Sequence, residues 1–136
     1  LSNLYLDDLI GKPFVEDGKG PNGYDCYGLG QEVYNRLGKN LPDYDYSFSE
    51  HVSKDTAKAI SNIVEQEKSG WLLLDKPEPY CFVVFCIVPP FVSHMGVVLE
   101  DCSRFIHVSR KNSVVIERLT SARWETRIRG YYKWQK

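Results

Sequence analysis

Gly20-Pro21-Asn22-Gly23-Tyr24-Asp25-Cys26-Tyr27-Gly28-Leu29 is the stretch on which the fold turns. Its first half consists of turn-forming residues. Its second half begins a pattern, because Leu29, Val33 and Leu37 recur every four residues and share one helical face. Asp25 stands where an N-cap belongs, and Gly38 supplies a C-terminal stop. The pattern predicts a helix that opens on Cys26 and runs to Leu37. A thiol at that position meets unpaired amides and the positive end of the helix dipole, both of which favour the thiolate. Thiol pKa values in such settings fall to roughly 3.5–7.5. A small core side chain at a helix start is the competing reading, and position alone weighs the two evenly.

Upstream, Ser2 is placed to cap a short helix carrying Leu4, Leu6, Leu9 and Ile10, closed by Gly11. Residues 12–24 form a Gly- and Pro-rich loop. Downstream, Asn40 to Phe48 reads as a loop, and Glu50 to Lys68 as a polar helix with Val52, Ile60, Ile63 and Val64 on its apolar side. After Gly70 the pattern changes to short β-type runs: Trp71–Leu74, Cys81–Val88, His94–Glu100, Arg104–Ser109 and Ser113–Leu119. Thr120–Glu125 reads as one helical turn and Ile128–Trp134 as a last strand. Helices first and strands after define an α+β domain. The 136 residues suit one domain spanning 1–136. Hydrophobic residues at 43% and charged residues at 26% exclude a disordered chain. Nothing approaches the ~18 apolar residues of a membrane span.

Net charge is −1, which argues against a nucleic-acid partner, but the charge is unevenly spread. Residues 1–103 hold 8 Lys/Arg against 16 Asp/Glu, net −8; residues 104–136 hold 9 against 2, net +7. Either the basic segment meets an anionic partner, or the two segments pack together and offset each other. The second reading is favoured.

Of the four cysteines, Cys81 and Cys86 lie in an apolar run and read as buried thiols. Cys102 lies in a turn. There is no C-x-x-C pair to support a zinc ribbon or redox motif. His51 reads as a surface residue. His94 and His107 occupy consecutive strands, and a two-residue loop at Asp101-Cys102 pairs His107 with Gly96, two residues from His94 on the same face. Gly96 leaves room for an imidazole. A three-residue loop would put the histidines on opposite faces. A cysteine at a helix start with distant histidines is the pattern of a thiol nucleophile. The same three side chains are also zinc-ligand types, although their spacing does not support a zinc site.

These residues carry a resemblance. Asp25-Cys26-Tyr27-Gly28-Leu29 resembles the nucleophile motif of the NlpC-type cysteine peptidases. His94-Met95-Gly96-Val97-Val98-Leu99 is similar to their His-x-Gly motif, and Phe105-Ile106-His107-Val108-Ser109 to their second His motif. Gly11-Lys12-Pro13-Phe14, the aromatic Tyr27 and the ending Trp124-Glu125-Thr126-Arg127-Ile128-Arg129-Gly130-Tyr131-Tyr132 look like a phage-tail-associated branch. The resemblance spans roughly residues 5–134.

It implies a compact papain-like domain, with N-terminal helices on an antiparallel β-sheet, that cleaves amide bonds in bacterial cell-wall peptides. No metal or organic cofactor is implied. Cys26 is the implied nucleophile, its own N–H an oxyanion donor, His94 the general base and acid, and His107 the group that orients His94. Phe14, Tyr24, Asp25, Tyr27 and Ser109 are the candidate substrate contacts. Implied partners are peptidoglycan stem peptides and phage-tail or cell-wall-associated proteins. The implied location is the cell envelope, the exterior or a phage tail.

Two departures stand out. Pro13-Phe14 replaces the family's frequent Pro-Tyr, so a hydroxyl is missing for which Tyr24 is the candidate substitute. Pro79-Tyr80-Cys81-Phe82 replaces a Gly-Asp start to the strand before the base. They keep open an amidase or acyl transferase acting on other compounds, and a binding module with the same fold.

Overall fold

A computed structural model describes residues 4–43, 70–88 and 91–135. The expected 50–68 helix, His51 and most of the 40–48 loop lie outside these residues. Among the described residues, one α-helix packs on a six-stranded, wholly antiparallel sheet. The helix is α1, Cys26–Arg36. The strands are β1 (Trp71–Leu74), β2 (Phe82–Val88), β3 (Phe91–Val98), β4 (Arg104–His107), β5 (Val115–Arg118) and β6 (Ile128–Trp134), in the spatial order β1-β6-β2-β3-β4-β5. This is the expected α+β architecture.

Both ends of α1 follow from its sequence. The Asp25 backbone is extended, and its carboxylate accepts the Gly28 N–H at 2.6 Å. At the other end Gly38 takes φ +80. Its N–H bonds to the Asn35 carbonyl and that of Lys39 to the Tyr34 carbonyl, the paired bonds of a glycine-terminated helix. Near the N-terminus, a Cβ on Gly28 would lie 2.0 Å from the Gly18 carbonyl oxygen, so this glycine lets the 12–24 loop seat against the helix.

Two expectations shift. The N-terminal helix is only a 3-10 turn over Asp7–Leu9, although Leu6 and Leu9 are buried as its pattern requires. The Leu9 and Ile10 N–H groups bond the Leu6 and Asp7 carbonyls three residues back, and the extended backbone of Ile10 then ends the turn. The 120–125 turn is present through the Trp124 N–H to Ser121 carbonyl bond, and a 3-10 turn follows at Glu125–Arg127. β3 starts earlier than expected and ends at Val98, because the chain turns once the Leu99 N–H bonds the Arg104 carbonyl at 2.8 Å.

Alternation along the central strands divides the interior into two layers. On the helix side, Phe82, Val84, Met95, Val97 and Ile106 cluster with Cys26, Tyr27, Leu29, Val33 and Tyr34. On the far side, Cys81, Val83, Phe85, Val98, Phe105, Leu119 and Trp124 form a second cluster. The basic C-terminal segment supplies β4, β5 and β6, which flank the β2–β3 pair on both sides. Its Lys133, Arg104 and Arg110 pair with Glu78, Asp101 and Glu16 of the acidic segment at 3.0, 2.7 and 3.7 Å. Part of the charge split is therefore offset locally.

Candidate active site

Cys26 is the first residue of α1, as the pattern predicts, and is 4% exposed. Its support comes from the 12–24 loop, where the Asp25 N–H bonds the Gly18 carbonyl at 3.0 Å. The Asp25 carboxyl is buried beneath that loop, and burial pushes its pKa up to about 7 against the lowering effect of the Gly28 N–H. None of the four cysteines is in a disulfide; Cys26, Cys81 and Cys86 are buried and Cys102 is half-buried. Burial raises the Cys81 thiol to about 11, which suits an inert core position.

His94 and His107 meet. The strand register pairs Val97 with Ile106 and Val98 with Phe105, which sets Gly96 opposite His107. A Cβ on Gly96 would lie 3.1 Å from the His107 Cβ. His94 Nε2 and His107 Nδ1 are 2.8 Å apart, and both residues are wholly buried. The rings sit among aromatics: His94 against Phe85 and Trp124, His107 against Phe105 and Trp124. Burial lowers the pKa of His94 well below the usual histidine range, and that of His107 to about 3, with Arg123 adding to both effects. Both imidazoles are thus neutral at pH 7. His107 Nε2 lies 2.6 Å from the Glu117 carboxylate, a contact that by itself favours the charged ring and so works against burial.

Glu117 escaped the sequence reading. It lies on β5, paired with Phe105, and its Oε2 also accepts the Trp124 indole N–H at 2.9 Å. The available signal was a lone carboxylate in the run Val114-Val115-Ile116-Glu117, in step with the histidine strand.

Cys26 belongs to the helix-side cluster with Met95 and Val97. His94 alternates with Met95 and is paired with Phe85, so its ring faces the far layer. His94 Nδ1 is buried and makes no hydrogen bond. The structure brings His94 and His107 together and holds Cys26 in the neighbouring layer.

The flanking candidates are mostly supports. The Tyr27 hydroxyl donates to the Pro42 carbonyl at 2.6 Å, and the Ser109 hydroxyl accepts the Asn112 N–H at 3.1 Å. Tyr24 is 2% exposed, with its hydroxyl against Gly20. Phe14 is half-buried, with the Arg110 guanidinium 5.0 Å from its ring centre. Beside it, Pro13, Phe14, Ser109, Arg110, Lys111, Asn112 and Ser113 line a shallow surface depression. Among the described residues, no group of three His, Cys, Asp or Glu could hold a metal ion.

Residues 11–133 match the NlpC/P60 family. The chain belongs to that family. NlpC/P60 is a family of cysteine peptidases of the cell wall, and solved structures of its members share the fold seen here. NlpC2 from Trichomonas vaginalis superposes with a TM-score of 0.65 at 21% identity, covering 96% of this chain and 43% of that one. An NlpC/P60 family protein from Bacillus cereus gives 0.65 at 20%, covering 96% and 40%. The NlpC/p60 domain of the peptidoglycan hydrolase SagA gives 0.58 at 20%, covering 92% and 89%. The chain thus spans about two-fifths of the first two of these structures. No curated protein matches it by sequence.

Proposed function

We propose that this NlpC/P60 chain, as a single domain over residues 1–136, hydrolyses amide bonds in bacterial cell-wall stem peptides with Cys26, His94 and His107. The observation that carries the reading is the His94–His107 pair, whose one unbonded ring nitrogen, His94 Nδ1, is buried with its partner still to be supplied. Cys26 supplies it. The thiol gives its proton to Nδ1, and Sγ attacks the scissile carbonyl carbon. The Cys26 N–H at the start of α1 donates to the developing oxyanion. His94 returns the proton to the leaving amine, and water then releases the acyl group from the thioester. His107 holds the far nitrogen of His94 throughout. This mechanism requires a Cys26–His94 contact to form when substrate seats, since catalytic hydrogen bonds are commonly incomplete without it. Phe14 is the flanking residue with surface left to touch the peptide.

Incubation with purified peptidoglycan or muropeptides should release new amino termini, and Cys26→Ala should abolish the release. Equal cleavage by Cys26→Ala would reject the mechanism.

A second reading is a binding module, of a phage tail or the cell wall, that kept the fold and lost catalysis. It is favoured by the complete burial of His94 and by its unbonded Nδ1. Iodoacetamide separates the two readings. Rapid alkylation of Cys26 with a pKa well below ~8.5 belongs to the peptidase, and a slow, ordinary thiol to the module.

A further inference from the structure

The histidine pair does not end at His107. From His94 Nε2 the contacts run 2.8 Å to His107 Nδ1, then 2.6 Å from His107 Nε2 to Glu117 Oε2, which also takes the Trp124 indole N–H at 2.9 Å. Each link restricts the next. An ionised carboxylate only accepts hydrogen bonds, and an indole N–H only donates. Glu117 therefore requires a proton on His107 Nε2. A neutral ring protonated there presents Nδ1 as an acceptor. The facing nitrogen, His94 Nε2, must then carry a proton, which leaves the lone pair of His94 on Nδ1.

We propose that Glu117 is a positioning residue, held by Trp124, whose carboxylate sets the tautomers of His107 and His94 so that His94 Nδ1 is the basic nitrogen. This rests on the peptidase reading for its consequence, but not for its geometry. Without Glu117, nothing in the chain prefers His107 Nε2–H. The His107 proton can move to Nδ1 and point at His94 Nε2, which moves the His94 proton onto Nδ1. A ring protonated on Nδ1 cannot accept from the thiol. In the forward reaction the Cys26 proton moves to His94 Nδ1, giving thiolate and an imidazolium protonated on both nitrogens. The Glu117 carboxylate at the end of the chain opposes that new positive charge. No proton is lost or gained overall.

Glu117 is placed to do this by fold. It pairs across with Phe105, on the same face as His107, and its side chain is 28% exposed, so its charge is not stranded in the core. Trp124, 1% exposed, stacks on His94 and donates to Glu117, so one residue braces both ends of the chain.

The test is ring-nitrogen NMR of histidine-labelled protein, with cleavage kinetics, on wild type, Glu117→Gln and Glu117→Ala. In wild type, both rings should be neutral and protonated on Nε2. Glu117→Ala should move ring protons to Nδ1 and lower kcat on the order of 10²-fold with KM nearly unchanged. Glu117→Gln keeps an accepting oxygen, so it should keep the wild-type nitrogen pattern and recover most of the rate. A thermal melt confirms that each variant is folded. An unchanged nitrogen pattern in a folded Glu117→Ala, or a wild-type His107 protonated on Nδ1, would overturn the proposal. Wild type inactive on every muropeptide, with the nitrogen pattern as described, would sink the peptidase reading and leave the role of Glu117 standing.

Discussion

On the helix side of the sheet, Cys26, Leu29 and Val33 share a cluster with Phe82, Val84, Met95 and Val97. Asp25, the buried carboxyl beside that cluster, lies under a loop and bonds the Gly28 N–H. On the far side, Phe85, Phe105 and Trp124 surround two neutral imidazoles and the carboxylate that meets them. Both layers are buried, and the far one carries a hydrogen-bonded chain from His94 through His107 and Glu117 to Trp124. A buried polar group is tolerated only when its partners come with it. His107 arrives with His94 and Glu117, whereas His94 Nδ1 is left over. An unbonded ring nitrogen inside a packed core costs stability, and such a cost is commonly retained for function.

The largest effect separates the layers by chemistry. Cys26→Ala, in the helix layer, should remove muropeptide cleavage entirely while leaving the His94 and His107 ring-nitrogen spectrum unchanged. A disturbed spectrum would mean that the layers are coupled in the ground state.

Next comes packing. Phe82 touches Tyr27, Tyr34 and Trp71, and Phe85 touches His94, Phe105 and Trp124. Truncating either to Ala should cost roughly 3–5 kcal/mol in denaturant unfolding. Only Phe85→Ala should also shift the histidine ring signals. Equal shifts from both variants would erase the distinction drawn here.

The layers also respond to pH in opposite senses. Asp25 has a pKa of about 7 folded and near 3.8 unfolded, so between those values the folded state binds the extra proton. Its contribution is greatest at low pH and is lost as pH rises toward 7. His107 has a pKa of about 3 folded and near 6.5 unfolded, so the unfolded state binds the extra proton. Its contribution is complete above about 6.5 and is lost as pH falls toward 3. From about pH 4 to 6.5 the two slopes oppose each other. Asp25→Asn, which still caps the helix, should make stability rise more steeply with pH over that range. His107→Gln should do the reverse. Unfolding curves across that range check both, and a slope unmoved by either variant would refute the assignment.

The smallest effect lies outside both layers. Lys133→Gln breaks an exposed pair with Glu78 and should cost under about 1 kcal/mol, shrinking further in salt.

Much of the site is legible in the chain because its determinants are local. Asp25 and Gly38 bound α1 by capping chemistry, and the β3–β4 turn is short enough to bring Gly96 opposite His107. The N-terminal segment forms a 3-10 turn over Asp7–Leu9 although Leu4, Leu6, Leu9 and Ile10 satisfy a helical apolar count, because an apolar count does not fix the backbone. Glu117 was invisible because its partner lies across a strand pair whose register depends on the 109–112 turn. That turn closes through Ser109–Asn112 bonds at 3.0 and 3.2 Å.

By itself, then, the sequence determined the α+β order and the helix that opens on Cys26, and it allowed two histidines a shared face that the strand register then set. Each of these depends on residues close together in the chain, where spacing and capping act directly. Only the tertiary structure decided which side of the sheet each group faces, which ring nitrogen is left unbonded, and that Glu117 and Trp124 complete the chain. Those outcomes depend on the pairing of strands distant in sequence and on how completely the core excludes water, and no local spacing encodes either.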